Sequence, residues 1–343
     1  MKSLMKLVVG VAAVAMLAVV LAPIASAQPK HLQPGSVLVY PLYDSSAGAG
    51  TVVCVTNTND DRTYCPDADF RAGDVAVHYQ YIDGVTWQEF DRFEMLTPGD
   101  TLCVIVDNHN PEGNVGFLVV SAADPEDMNK KIDFDYLIGS AIVVQSNLNF
   151  LWSYTPYAFQ GLPGESAPSA CDRDSTDDDS DGALDFDGEE YDYFPAELFI
   201  DSFFEETGTF GNALTLITTV GSDYEAEVNF LFWNNIEEKF SRNFRFTCWT
   251  TNPLSEISQI VTRLGGDEEE LGQGDIQTGW ASLQGGRALD GAGNPVVIDG
   301  YEVISPILGV FNQLITSTDF SAGHALHYRG SLDGLELLTG NDE

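Results

Sequence analysis

From residue 36 onward the apolar positions fall in runs of seven to ten residues, separated by Gly, Pro, Asn and Asp. The first runs are SVLVYPLY (Ser36–Tyr43), TVVCVTN (Thr51–Asn57), VAVHYQYI (Val75–Ile82) and WQEFDRFEML (Trp87–Leu96). DTLCVIVD (Asp100–Asp107), GFLVVSA (Gly116–Ala122) and YLIGSAIVV (Tyr136–Val144) complete the set. Each is rich in β-branched and aromatic residues, and their spacing is that of a β-sandwich. IDG at Ile82–Gly84 predicts a hairpin, because Asp and Gly supply the positive dihedral of a tight turn.

The same order recurs further along. ELFIDSFF (Glu197–Phe204), ALTLITT (Ala213–Thr219) and AEVNFLFW (Ala226–Trp233) answer the first three runs. NNIEEKFSRNFRFTCW (Asn234–Trp249), TGWASLQ (Thr278–Gln284) and PILGVFNQLI (Pro306–Ile315) follow in register with later ones. One weak match arises by chance; six in the same order argue an internal duplication of one β-sandwich. The predicted class is all-β, with a first sandwich at 28–165, a joint at 166–195 and a second sandwich at 196–343.

The copies differ in their connections. Copy one has a long segment from Asn57 to Asp74 carrying Cys65, where copy two predicts a tight turn at Gly221–Asp223. NPLSEISQIVTRLGG (Asn252–Gly266) is the best predicted helix: Asn252 to cap it, Pro253 in the first turn, Gly265 to end it. Leu254, Ile257, Ile260, Val261 and Leu264 then share one face, for packing on the sandwich edge or for a partner.

The N-terminus changes the picture of where the chain works. Lys2 and Lys6 precede an apolar run from Leu7 to Ala22, then Pro23, then ASA at Ala25–Ala27. That is the layout of a secretory signal peptide over 1–27, cleaved before Gln28; an uncleaved anchor is the alternative, for which the run is short. The expected product is soluble and exported: extracellular, at the cell surface or in a periplasm. No later stretch predicts a membrane span. The formal charge of −38 over 343 residues opposes binding to nucleic acid and anionic lipid, and suits divalent cations or a saline habitat. Five cysteines, Cys54, Cys65, Cys103, Cys171 and Cys248, leave at least one unpaired in a monomer. Cys54 with Cys103, both on core strands, is the first choice of pair, and Cys248, between Phe246 and Trp249, is expected as a buried free thiol.

TVVCVTNTN, VHYQYIDG, FEMLTPGDT and GFLVVSA in copy one, with TGWASLQ in copy two, resemble the immunoglobulin-like sandwich repeats of exported bacterial proteins. The shared features are a strand ending in Asn, a YxxG turn, an LxPG turn and a Gly-aromatic strand. The resemblance implies architecture over most of the mature chain. It implies no catalytic residue, because this fold serves adhesion, assembly and binding alike.

One stretch carries candidate chemistry. CDRDSTDDDSDGALDFDGEEYDYFP (Cys171–Pro195) holds eleven carboxylates and one basic residue, Arg173. With Asp177 as position one, Asp179 and Asp181 fall at three and five, Gly182 at six, Leu184 at eight and Asp185 at nine. This is the front of an EF-hand-type Ca²⁺ loop: alternating oxygens, a Gly for the bend and an apolar anchor. Gly188 stands where the closing Glu belongs, so Asp187, Glu189 or Glu190 would close the shell. The DxDxDGxxDxD run also resembles thrombospondin-type aspartate repeats. Hard oxygen donors favour Ca²⁺ over a transition metal. A solvated acidic spacer is the competing reading.

Elsewhere the chemistry is sparse. His324 and His327 lie close in sequence, but on a strand they point to opposite sides. No HExxH, GxSxG or CxxC occurs. Trp87, Trp152 and Trp280 can stack on sugars if exposed, although Trp on strands more often belongs to a core. The chain therefore reads as an exported, non-enzymatic structural, adhesive or matrix-type protein with a Ca²⁺-stiffened joint and a protein or polysaccharide surface as partner. The alternatives are a secreted polysaccharide hydrolase with an acidic interdomain cleft and a carbohydrate-binding protein.

Overall fold

A computed structural model describes residues 33–66, 68–110, 113–145, 150–162, 171, 184–186, 188–206, 209–218, 224–264, 277–298, 300–315, 320–330 and 336–337. The apolar runs of copy one become β1 (Val37–Asp44), β2 (Ala49–Asn57), β3 (Val75–Asp83), β4 (Glu89–Leu96) and β5 (Thr101–Ile105). A one-turn helix α1 (Val106–His109) follows, then β6 (Val115–Ala123), β7 (Leu137–Gln145), β8 (Phe150–Tyr154) and β9 (Tyr157–Phe159). They form a five-stranded sheet, β9-β1-β6-β3-β4, facing a four-stranded sheet, β8-β7-β2-β5.

Copy two repeats this element for element. Its strands are β10 (Glu197–Phe204), β11 (Phe210–Thr218), β12 (Glu225–Asn234), β13 (Lys239–Phe246) and β14 (Trp249–Pro253). Then come α2 (Leu254–Ile257), β15 (Thr278–Leu289), β16 (Ile307–Ile315), β17 (Phe320–Ala325) and β18 (His327–Arg329). The sheets are β18-β10-β15-β12-β13 and β17-β16-β11-β14, the same order as in copy one. Even an irregularity recurs: β1 slips register between Tyr40 and Tyr43, and β10 slips between Ile200 and Phe203. The all-β class is as expected. The strand order, however, departs from that of immunoglobulin domains, in which the first two strands share a sheet; here β1 and β2 lie in opposite sheets.

Alternation dictates which side chains each sandwich buries. Tyr40, Tyr43, Tyr79, Tyr81, Val53, Val55 and Leu118 fill the first core; Phe203, Phe230, Phe232, Leu214, Leu216 and Leu283 fill the second. β12 alternates strictly between half-buried and buried positions, as a strand with one face toward a core should. β1 does not: seven of its eight residues are buried, so both of its faces are covered. Its outward residues, Val37 and Val39, join Ile82, Phe117, Val119, Tyr157 and Phe159 in a third core. That core is completed by Ile217 and Leu308 from copy two and by Leu184, Phe186, Tyr191 and Phe194 from the joint. Pro34–Glu343 accordingly forms one compact unit. Polar contacts follow the same boundary: the buried Tyr157 hydroxyl donates to Gly309 O (2.8 Å), and Trp249 Nε1 donates to Pro41 O (3.0 Å). Gly84 leaves room for that indole, since a Cβ there would sit 2.5 Å from Trp249 Cε3.

Three sequence expectations are corrected. The helix expected over Asn252–Gly266 is a single turn, Leu254–Ile257, followed by a 3₁₀ turn at Gln259–Thr262. Ser258 between them is extended (φ −148°, ψ 123°), and Asn252 and Pro253 belong to β14, so Asn252 caps nothing. Leu254, Ile257, Val261 and Leu264 are still buried; tertiary burial, not helical continuity, satisfies the stripe. Copy one has the same turn at α1, so the turn is part of the repeated unit. Gly265 and the turn expected at Gly221–Asp223 lie outside the described residues.

The disulfides refine the picture further. Cys54 and Cys103 are bonded across β2 and β5, but from the sheet's outward face, where Cys103 is exposed, and not from the core. Cys65 is bonded to Cys171. Cys248 is free as expected; the residue is half-buried, and burial pushes its thiol up to about 12.

Because the third core belongs to both copies, the two sandwiches should unfold in one transition. Phe186→Ala removes a fully buried ring and should cost ~3–5 kcal/mol. In urea, followed by far-UV circular dichroism and tryptophan fluorescence, its midpoint should fall while the two probes stay coincident. Two separated transitions in the parent protein would contradict a shared core.

Candidate functional site

The outward face of the five-stranded sheet is where the copies diverge most. In sandwich one it carries Val37, Val39, Ile82, Phe117, Val119 and Tyr157, all buried. The register pairs Ile82 with Phe117 and Val39 with Val119 and Tyr157. The matching pairs in sandwich two are Trp233 with Trp280, and Phe199 with Ser282 and His327. An apolar covered face has become an aromatic and polar open one.

Trp233 and Trp280 stand on neighbouring strands with ring centroids 3.9 Å apart and planes 2° from parallel. Lys239 Nζ lies 5.3 Å from the Trp233 centroid, on the strand opposite Trp280. The result is a ladder of ammonium, indole and indole across β13, β12 and β15, favourable through cation–π and stacking terms. Trp280 is 39 % exposed. Its other side looks toward the β10 irregularity, where Asp201 and Ser202 are exposed. Along the same face Glu197 accepts from Arg329 Nε (2.6 Å) and from the Ser282 hydroxyl, with Gln284 Nε2 at 3.5 Å. Burial alone would raise the Glu197 carboxyl, but the Ser282 and Arg329 bonds outweigh it and hold it below the usual range. The Arg329 guanidinium also lies over the Phe199 ring, 5.1 Å from its centroid. Arg245 pairs with Glu227 at 3.0 Å. On a chain of formal charge −38 this face is close to neutral.

The equivalent end of sandwich one shows what the fold accepts there. Trp249 packs on its third core, against Gly84 and hydrogen-bonded to Pro41, which lies in the β1 irregularity matching Asp201 and Ser202. A flat ring therefore seats on the closed face, at the position left open on the other. Of the three tryptophans singled out from sequence, only Trp280 is open. Trp152 is buried against Gly323, and Trp87 is half-buried on the third core. Trp233 was missed. Its signal was present: Trp on the outward side of a strand whose inward side is Ala, Val and Phe.

Of the predicted Ca²⁺ ligands, Asp177, Asp179, Asp181 and Asp187 lie outside the described residues. Asp185 is placed by its backbone in the short strand Leu184–Asp185, paired with Glu336–Leu337. Glu189 is exposed and Glu190 buried. Both flanks of the acidic loop are tied to sandwich one, at Cys171 by its disulfide and at Leu184 and Phe186 by burial. Close by, Asp135 accepts from Ser36 Oγ and Gly161 N, each at 2.8 Å. Burial, with the charges of Asp133 and Asp192 added, lifts its carboxyl to about 6. No cluster of three or more metal-ligating side chains occurs among the described residues.

The histidine expectation is corrected: Leu326 breaks the strand between His324 and His327, and their rings come within 5.6 Å instead of diverging. His324 Nε2 faces Asp201 Oδ1 at 3.3 Å. Sandwich one holds a half-buried histidine at its edge. His109 at the end of α1 meets the Tyr81 hydroxyl (2.8 Å) and Glu94 (3.4 Å), and Arg92 donates to its carbonyl (3.2 Å). The described residues also line an open groove of about 690 Å³ beside α2, in which Glu256 is the single carboxylate. No helix among the described residues is long and apolar enough to cross a membrane. No protein-family model and no curated protein matches the chain.

Asp135 gives a pH prediction. Its folded value of about 6 lies above the unfolded value near 3.8, so the folded state holds the proton more tightly between them. Stability from this group is present at acid pH and lost as pH rises from ~4 to ~6. The stability difference between the parent and Asp135→Asn should therefore move against the parent across that window and stay level above it. Denaturation midpoints from pH 4 to 8 measure it; a constant difference would mean that Asp135 ionises normally.

Proposed function

We propose that the protein is an exported, non-enzymatic adhesive or matrix-type binding protein, and that the open face of its second sandwich holds a polysaccharide. The observation that carries the reading is the face-to-face stacked Trp233–Trp280 pair, which leaves the outer face of Trp280 exposed on a polar and nearly neutral sheet. The C–H face of a pyranose stacks on an indole, and its hydroxyls need in-plane donors and acceptors. The exposed Gln284 and Arg329 supply both kinds along the same face, with Arg329 held in place by the buried Glu197. A rigid sheet holds them without the entropy cost of ordering a loop on binding.

The Ca²⁺ assignment belongs to the same reading. Asp177, Asp179, Asp181 and Asp185, with Asp187, Glu189 or Glu190, would hold the ion in a loop whose flanks are already anchored. Repulsion among the eleven carboxylates of the stretch is what a bound cation would relieve. In this reading the leader at 1–27 directs export.

Two measurements test these statements. On glycan arrays and insoluble polysaccharide the parent should bind, and Trp280→Ala should weaken binding at least ~30-fold, as for a hot-spot aromatic worth ~2 kcal/mol. The fold should be retained, with thermal stability lowered only by the roughly 0.2–1 kcal/mol of a cross-strand aromatic pair. A parent that holds no glycan, or a Trp280→Ala variant that binds as well, would remove the reading. For Ca²⁺, calorimetry should show a saturable site lost in Asp179→Ala with Asp181→Ala. The same response from sodium at matched ionic strength would leave only charge screening.

A further inference from the structure

On a chain with 53 acidic residues, one whole sheet face lacks charge. The outward side of the four-stranded sheet of sandwich one presents Val52, Ile105, Ile138, Ile142, Val144 and Leu151. The Cys54–Cys103 disulfide crosses its middle, and the remaining outward positions are Gly, Ser and Thr. Leu151 is 63 % exposed, Ile105 52 % and Ile138 42 %. Contiguous exposed apolar surface of this kind marks an interaction site.

The chain itself shows what covers such a face. In sandwich two the same side of the four-stranded sheet is buried, with Ile217 and Leu308 in the third core and Val310 in the first. What buries it is a sandwich of the same fold. The open face is continuous with that contact: Leu151 belongs to β8, which runs beside β17, and its carbonyl accepts from Ser321 Oγ at 3.2 Å. A repeat of the internal, head-to-tail arrangement between molecules does not fit. The counterparts of Ile217 and Val310 in sandwich one are Thr56 and Ser140, and those of Val37 and Val119 in sandwich two are Glu197 and Ser282. The uncharged face instead complements itself.

We infer that a second copy of this chain docks here, the uncharged four-stranded sheet of one molecule packing on the same sheet of the other about a two-fold axis. Such a contact is closed and gives a dimer. Aligned sheet packing would interdigitate the Ile and Val stripes and place no like charges in the interface. Strands ~4.8 Å apart and ~3.4 Å per residue make the footprint roughly 20 Å on a side. That is below the ~800 Å² per partner of a standard interface, so the dimer is weak. Two chains of charge −38 repel outside the contact, so the dimer must tighten as salt screens them.

Sedimentation velocity from 1 to 200 µM, at 50 and 500 mM NaCl, tests this. A monomer–dimer equilibrium is expected, shifted toward dimer at high salt. Ile105→Lys should weaken it at least tenfold, while Val85→Lys, 71 % exposed elsewhere, should leave it unchanged. If circular dichroism shows Ile105→Lys misfolded, Leu151→Lys on the edge strand repeats the test. A monomer at every concentration and salt would overturn the inference. So would open-ended growth, which means a head-to-tail contact, or a dimer indifferent to both lysines. Binding to neutral phosphatidylcholine vesicles by the parent and not by Ile105→Lys would assign the face to lipid and overturn it as well.

Discussion

Everything in the arrangement depends on covering the outward face of the first five-stranded sheet. Val37, Val39, Phe117 and Val119 cannot face water without losing ~1.5–3 kcal/mol each. The second sandwich covers one part of that face, and the aromatic segment from Leu184 to Phe194 covers another. The stretch that reads as a joint is therefore also a cover, and its acidic loop is held at both flanks. Packing of Ile217, Leu308 and Trp249, with the Tyr157 hydrogen bonds, places the two sandwiches. That placement rests on apolar packing and hydrogen bonds to backbone carbonyls, so in the proposed reading a Ca²⁺ ion would act locally in the loop.

The duplication acts as an internal control on what the fold requires. Tyr43, Tyr79 and Tyr81 of the first core, with the half-buried Glu94 and His109 at its edge, correspond to Phe203, Phe230, Phe232, Phe244 and Ile257 in the second sandwich. Both sandwiches close with the same strand order. The fold needs the volume and the apolar surface; the hydroxyls, the carboxylate and the imidazole of sandwich one are additions to it. Buried polar groups are stabilising only when paired. Tyr81 meets His109 and Tyr154 meets Leu42, but the buried Tyr79 hydroxyl has no hydrogen-bond partner among the described residues. The imidazole of His109 is held below the usual range mainly by burial, which outweighs its pairing with Glu94.

How much was legible follows from what alternation encodes. Strand positions and the duplication could be read directly, because a half-buried strand repeats every two residues whatever covers it. The partnering of Cys54 with Cys103 was also within reach, but not its side of the sheet. Thr51, Val53 and Val55 are the inward set, so counting by two from Val53 leaves Cys54 outside. The helix failed for a different reason: a stripe at helical spacing states which residues are buried, and an extended Ser258 buries them as well. The covering of β1 did have a signal, since SVLVYPLY is apolar without alternation while ELFIDSFF is mixed. Its meaning depended on residues nearly 150 and more positions away, which no local pattern contains.

Two outward faces remain at the ends of the molecule, and they differ in kind. On a chain this acidic, the unforced state of an exposed sheet is a scatter of Asp and Glu, as on much of the remaining surface. One end lacks ionisable groups altogether and offers only aliphatic side chains, a disulfide and small hydroxyls. The other balances Lys239, Arg245 and Arg329 against Glu197, Glu227 and Asp201 around a pair of indoles. An aliphatic sheet without hydrogen-bonding reach suits a dry, protein-like contact. An indole platform ringed by donors and acceptors suits a ligand with one apolar face and a polar rim. Had both ends served the same partner, the pressure on their composition would have been the same. Each open face differs from its buried counterpart in the other sandwich, so under the two proposals the ends would take ligands of different chemistry.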